Sequence, residues 1–112
     1  MKFMLFMSVD KSVELTAEER ARIPAAVGDW VAETGARGAR LQGAAFVPGS
    51  EAKTVRVRNG ETLVTGGPLT DAEPEITGFN ILECADMGEA LEIASKHPLA
   101  TFGVLELRPF AG

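Results

Sequence analysis

The sequence predicts an α+β fold with the ferredoxin-like split βαβ layout, in a single domain spanning residues 1–112. Apolar and amphipathic segments alternate in the order strand, helix, strand, hairpin, strand, helix, strand. Capping patterns mark both helix starts, and an Asn-Gly pair marks the hairpin. This layout places two helices on one face of an antiparallel sheet, so the other face must be polar or must meet a partner.

The first strand and the first helix have clear sequence signatures. Residues 2–9 form a continuous apolar run, which is typical of a central strand and is too short to span a bilayer. No small-residue cleavage site follows, so we interpret the run as a buried strand and not as a signal peptide. Thr16 and Glu19 fit a capping box, and we expect Pro24 to bend the helix or to delay its regular start. The predicted buried stripe is Ile23, Val27, Trp30, Val31 and Thr34.

The hairpin is the clearest local signal in the chain. Asn59 and Gly60 separate two runs of alternating apolar and polar residues, and both turn positions need a positive φ. A two-residue loop places Arg58 opposite Glu61. One face of the predicted hairpin then carries Val55, Val57, Thr62 and Val64.

The remaining elements follow from the same patterns. Residues 40–47, 76–84 and 102–107 are predicted strands. Asp86 is the predicted N-cap of the second helix, which ends at His97. The predicted buried stripe of that helix is Met87, Ala90, Leu91 and Ala94.

Composition excludes several classes of function. The net charge of −5 and the lack of a basic run argue against nucleic-acid binding. No apolar run approaches the length of a transmembrane helix, so no membrane partner is predicted. The lone Cys84 lies in an apolar run, where a buried and unreactive thiol is expected. A single cysteine is consistent with a reducing cytoplasm.

The chain resembles the YCII-related family, in its DGPF branch. The resemblance rests on Met1-Lys2-Phe3-Met4, Arg56-Val57-Arg58, Gly66-Gly67-Pro68-Leu69, Ile76-Thr77-Gly78-Phe79, the Asp86–Ala94 helix, and Glu106-Leu107-Arg108-Pro109-Phe110. It implies a ferredoxin-like fold that pairs into a dimeric α/β barrel. Several strands carry apolar residues at both odd and even positions, so both faces of the sheet are apolar. This favours the same homodimer, because a second copy would cover the open sheet face.

Two departures from the family pattern affect the expected site. The namesake motif begins with aspartate and ends with phenylalanine, whereas this chain has Gly66 and Leu69 at those positions. The role of that acid is then lost, or moved to Asp71. Some relatives carry a histidine on the first helix that is proposed to pair with an aspartate, but residues 20–31 contain no histidine. The resemblance therefore supplies no acid–base dyad.

The candidate catalytic residues are His97 and Asp71. His97 is the only histidine and follows the second helix, where the macrodipole favours its cation; a capping or surface role is the alternative. Asp71 heads an acidic loop with Glu73 and Glu75. These acids could act as a general acid or hold a hard metal ion, whereas a solvated loop is the simpler interpretation. We predict neither a metal nor a cofactor.

The candidate ligand-binding residues are Arg40, Gly66, Gly67, Pro68, Arg108 and Trp30. The arginines could bind an anion, and the glycine bend could offer backbone N–H groups to an oxyanion. Trp30 could line an apolar pocket. Solvated strands, a purely structural bend and core packing are the respective alternatives.

Two functions remain open at this point. The first is small-molecule binding in a cleft between sheet and helices, with proton transfer on a carbonyl or lactone-like substrate as the reaction most compatible with the fold. The second is a non-catalytic dimeric interaction or regulatory module. A cavity above roughly 300 Å³ with converging polar groups favours the first function. A filled interior with an exposed apolar patch favours the second.

Overall fold

The computed structural model describes residues 1–112. The elements are β1 (Lys2–Val9), α1 (Ala17–Ala36), β2 (Arg40–Ala45), a 3₁₀ turn (Gly49–Glu51), β3 (Lys53–Arg58), β4 (Glu61–Gly66), β5 (Ile76–Glu83), α2 (Met87–Ser95), α3 (Leu99–Phe102) and β6 (Gly103–Pro109). Their order confirms the predicted cadence, and the strand ends differ from prediction by at most two residues. The four-residue helix α3 was not predicted.

Four strands form an antiparallel sheet in the order β2-β5-β1-β6. This order and the two main helices confirm the α+β, ferredoxin-like prediction. Leu5 of β1 lies opposite Asn80 of β5 and Leu107 of β6, so these three side chains share one face. That face is the one that the helices cover, because Leu5 and Asn80 are buried on it.

The core lies between the helices and this face of the sheet. Phe3, Leu5 and Leu82 are fully buried from the sheet side. On α2, the buried positions are Ala90, Ile93 and Ala94, which is the i, i+3, i+4 pattern of one helix face, and His97 is buried just beyond the end of the helix. The prediction that Leu91 is buried was wrong: it is 55% exposed, because the buried face is centred on Ile93.

Both helices begin at the predicted caps. The Glu19 N–H donates to Thr16 Oγ1 at 3.0 Å and the Thr16 N–H donates to Glu19 Oε1 at 3.0 Å, which confirms the capping box. Helix α1 is regular from Ala17 onward with Pro24 inside it, so the expected delay was wrong. At α2, the Glu89 N–H donates to Asp86 Oδ1 at 2.9 Å and confirms that N-cap.

We call β3, β4 and their turn (Lys53–Gly66) the arm. The arm is a separate two-stranded sheet whose register is the predicted one, with Arg58 opposite Glu61. Asn59 and Gly60 have φ values of 53° and 77°, as the turn chemistry requires. None of the three helices combines the length and the apolar character that a membrane crossing requires.

We call the side of the four-stranded sheet that faces away from the helices the open face. It carries Met4, Phe6, Phe79 and Ile81, and no helix packs on it. These side chains are half-buried. The apolar character of this face is as the sequence predicted.

Candidate functional site

A polar pair occupies the helix-covered face of the sheet near the start of β2. The Arg40 Nε–H donates to Asn80 Oδ1 at 2.7 Å, and Asn80 is only 6% exposed. The Asn80 amide donates in turn to Met7 Sδ at 3.4 Å. Both groups of the asparagine therefore have partners, and its carbonyl oxygen fixes the direction of the guanidinium.

Gly43 provides the space for this pair. A Cβ atom on Gly43 would lie 2.2 Å from Asn80 Oδ1 and 2.5 Å from Arg40 Nη2. Those distances are far inside van der Waals contact, so any side chain at this position would displace the asparagine and the guanidinium. A glycine inside a strand often marks such a close approach.

His97 is buried next to this pair, with only 3% of its surface exposed. Its Nδ1 accepts a hydrogen bond from the Leu99 N–H at 3.0 Å, so the neutral ring carries its proton on Nε2. Burial, and then the charge of Arg40, lower the pKa of His97 to about 4. The expectation that the helix dipole favours the cation was wrong, because loss of hydration outweighs the dipole at a buried position.

Trp30 fixes His97 from the side of α1. The two rings meet edge to face, with centroids 4.7 Å apart. The indole N–H donates to the Ile93 carbonyl at 3.0 Å, so its one polar group is already used. Trp30 therefore packs against His97 and links α1 to α2.

The clefts of the surface lie elsewhere. The largest has a volume of about 910 Å³ and lies between the base of the arm, the end of β2 and the loop before β5. Its apolar lining includes Phe46, Val47, Val55, Pro68, Leu69 and Ile76. We call it the arm cleft. His97, Trp30 and Arg40 do not line it, so the perturbed histidine and the largest opening belong to different parts of the protein.

Asp71 lies in the exposed loop after the arm, beside a small cleft of about 160 Å³. The neighbouring acids have separate partners. Glu75 accepts from the Gly49 N–H at 2.6 Å, and Glu73 pairs with Lys11 at 3.3 Å. These carboxylates do not converge on one point, and no group of histidine, cysteine or acidic side chains is arranged to hold a metal ion. The fold does not bring Asp71 to His97 within one protomer.

The Gly66–Pro68 bend is used by the fold itself. Gly67 has a φ of 98°, a conformation that favours glycine. Its N–H donates to the Ala52 carbonyl at 2.8 Å, and its carbonyl accepts from Thr54 Oγ1 at 3.0 Å. Since Pro68 has no N–H, this bend closes the base of the arm and offers few free donors to an anion.

Arg108 lies on the open face, away from Arg40. Its guanidinium sits 5.6 Å from the centre of the Phe6 ring, and its Nε–H donates to Glu106 at 2.9 Å. Its charge is therefore partly compensated. The predicted ligand residues fall into three places: Arg40 with His97 and Trp30, the Gly66–Pro68 bend near Asp71, and Arg108 on the open face.

Comparison with known proteins identifies the family. The model of the YCII-related domain matches residues 1–111. The chain belongs to the YCII-related domain family. This confirms the resemblance found in the sequence, although the finer DGPF branch stays a prediction.

One relative is an uncharacterised protein of Rhizobium meliloti (strain 1021), 37% identical over 70 residues. The match covers 61% of this chain and spans only about half, 56%, of that relative's length.

A solved structure shares the fold of this YCII-related protein. It is 5-chloro-2-hydroxyhydroquinone dehydrochlorinase (TftG) from Burkholderia phenoliruptrix, in complex with 2,5-dihydroxybenzoquinone. The TM-score is 0.54 and the identity 16%, and the match covers 98% of this chain and 93% of that one. TftG is a dimeric α/β barrel with a ferredoxin-like fold. At this identity the likeness shows a shared fold alone.

Two residues of the Arg40 site were missed by sequence reasoning. Asn80 stands in the run Phe79-Asn80-Ile81, and Gly43 stands inside β2. A polar amide and a glycine in otherwise apolar strands were the available signals, since each needs a structural reason there. Asn80 and Gly43 come close to Arg40 only because β2 pairs with β5. No local sequence pattern predicts that pairing.

Proposed function

We propose that this YCII-related protein is a homodimer that binds a small organic molecule with an anionic or carbonyl oxygen, anchored by Arg40 on the helix side of the sheet. The observation that carries the proposal is the partly buried guanidinium of Arg40, which has no acidic partner. None of the ion pairs in the structure includes it. Unpaired arginines with restricted hydration are suited to binding oxyanions.

The donors of Arg40 are only partly used. The guanidinium has five N–H groups, and the Nε–H is the one that bonds to Asn80. Every fully buried side-chain nitrogen and oxygen in the protein has a hydrogen-bond partner. The two outer nitrogens of Arg40 have no partner, so they are not fully buried and stay in contact with solvent. A ligand oxygen can take the place of that water and form two parallel hydrogen bonds.

His97 adds a donor rather than a base. Because Nδ1 accepts from the Leu99 N–H, the free Nε2 carries the proton. A neutral imidazole that donates through Nε2 can polarise a carbonyl oxygen and stabilise the charge that develops on it. For a carbonyl or lactone-like molecule, this arrangement stabilises the charge that forms on the oxygen when the neighbouring carbon gives up its proton to a base from solvent. His97 then acts as the electrophile and not as the general base.

The open face supports the homodimer. Met4, Phe6, Phe79 and Ile81 present an apolar surface that the helices leave uncovered. A second copy packed against this face would bury it, and Arg108 would lie at the seam. The shared fold with a dimeric α/β barrel is consistent with that arrangement.

The test is direct binding to a panel of small carboxylates, keto acids, lactones and phenols, by thermal shift and then calorimetry. For a hit, we expect Arg40→Ala to weaken binding by about 10- to 100-fold, the range of a charge-assisted hydrogen bond. Arg20→Ala, an exposed arginine on α1, is the matched control and should bind normally. A methyl ester of a carboxylate hit should bind weakly to the wild type. Equal affinity of Arg40→Ala and wild type would refute the anchor role.

The interaction-module function is supported by a different observation. Trp30 and His97 line none of the four main clefts, and the arm exposes a valine face. A filled interior with an exposed apolar patch is the pattern expected of a binding module. A ligand panel without hits, together with a stable assembly, would favour this alternative over the ligand site.

A further inference from the structure

The arm exposes an apolar face that its own protomer leaves uncovered. Val55, Val57 and Val64 are 62%, 56% and 59% exposed, and the register places them on one face. Only the base of the arm is bonded to the rest of the protomer, through Gly67. An isolated two-stranded hairpin is marginally stable in water, so an ordered arm requires a surface to pack on.

The protomer is also less compact than its length predicts. Its radius of gyration is 16.1 Å, whereas a compact domain of this length has a value of about 13 Å. It measures 47 Å along its longest axis and only 19 Å along its shortest. One layer of helices on one layer of sheet, with a projecting arm, has the shape of one half of a larger folded unit.

The charge distribution favours a second copy of this chain as the partner of the arm. The arm carries Lys53, Arg56 and Arg58 against a single acid, Glu61, although the whole chain has a net charge of −5. The rest of the chain, residues 1–52 and 67–112, which we call the body, is therefore more acidic than the whole chain. A cationic arm is attracted over long range to the acidic body of another copy of the same chain, and a symmetric dimer repeats that attraction twice.

The apolar surface is continuous from the open face to the arm. Phe46 stacks on Phe79 of the open face with ring centroids 5.8 Å apart, and Phe46 also lines the arm cleft. Val55 of the arm lines the same cleft. A second copy seated on the open face would therefore extend over the arm cleft and reach the arm.

We propose that the arm of each protomer docks on the body of a second copy, and that the arm cleft is closed only in this dimer. The docking rests on the homodimer of the proposed function and extends it from the open face to the arm. The apolar valine face packs on the partner, while Arg56 and Arg58 project from the opposite face of the hairpin. The interface is the same on both subunits.

The first test is sedimentation velocity over a dilution series. We expect a wild-type dimer whose dissociation constant rises at least tenfold in Val57→Asp and rises with added salt. Val13→Asp is the matched control, since Val13 is an exposed valine outside the arm, and its dimer should be unchanged. An unchanged dimer in Val57→Asp overturns the arm docking and leaves the sheet-face dimer standing. A wild-type monomer at about 100 µM overturns both.

The second test follows the arm itself by hydrogen exchange of the wild type at several protein concentrations. Amides of β3 and β4 should be protected at high concentration and should exchange at least tenfold faster below the dimer dissociation constant. Amides of β1 in the core serve as the internal reference. Arm protection that is independent of concentration would refute docking on a second copy. Neither test uses a ligand, so a failed ligand screen does not affect them.

Discussion

The arm and the helix-covered body are both antiparallel β structure, but they are stabilised differently. In the body, Phe3, Leu5 and Leu82 are inaccessible to solvent beneath the helices. In the arm, most apolar side chains are solvent-exposed, and the hydrogen-bonded ladder and the turn maintain the register. The difference shows that the turn residues can set the register of a hairpin even where they contribute little to its stability.

The strongest test of this contrast makes the same substitution in both regions. Leu82→Ala should lower the free energy of unfolding by about 2–5 kcal/mol, because it leaves a cavity at a fully buried position. Leu63→Ala in the arm, where the side chain is 42% exposed, should cost about 0.5 kcal/mol. Urea denaturation of both variants measures the difference. Similar losses would mean that the arm is packed as tightly as the body.

The body also buries the one histidine, whereas the arm has no histidine. The pKa of His97 is lowered to about 4, below its ordinary value of 6.5, so between these pH values the unfolded chain binds a proton that the folded protein does not. Stability is thus complete above pH 6.5 and declines as the pH falls toward 4, by about 3 kcal/mol in total.

Denaturation of wild type and His97→Asn across this pH range isolates the effect. The wild type should lose stability between pH 6.5 and 4 more steeply than the variant. Carboxylates such as Glu19, whose pKa is lowered by its bonds to Thr16, titrate in both proteins and cancel in the comparison. Parallel curves for the two proteins would show that His97 is not held neutral by its surroundings.

A smaller contrast is expected between two glycines in the body. Gly43→Ala should destabilise by about 1–3 kcal/mol, because the new Cβ would overlap Asn80 Oδ1 and the Phe79 carbonyl. Gly28→Ala, in the middle of α1 with open space around it, should stabilise by about 0.5–1 kcal/mol. Thermal melts compare the two, and a harmless Gly43→Ala would show that the Arg40–Asn80 pair is not tightly enclosed.

Sequence reasoning succeeded where the physics is local. The capping box of Thr16 and Glu19, and the register set by Asn59 and Gly60, depend on residues within a few positions of each other. It failed at Leu91 because one helix turn offers several apolar positions, and the neighbouring elements select which of them face the core. The predicted site residues were likewise distributed by the fold over three separate places.

The sequence by itself determined the order of the elements, the caps, the hairpin register and the family. Only the tertiary structure determined that Arg40 bonds to Asn80, that His97 is buried and neutral, and that the arm projects from the body. The physical reason is distance along the chain. Arg40 and Asn80 are forty positions apart, so their hydrogen bond can form only when β2 pairs with β5.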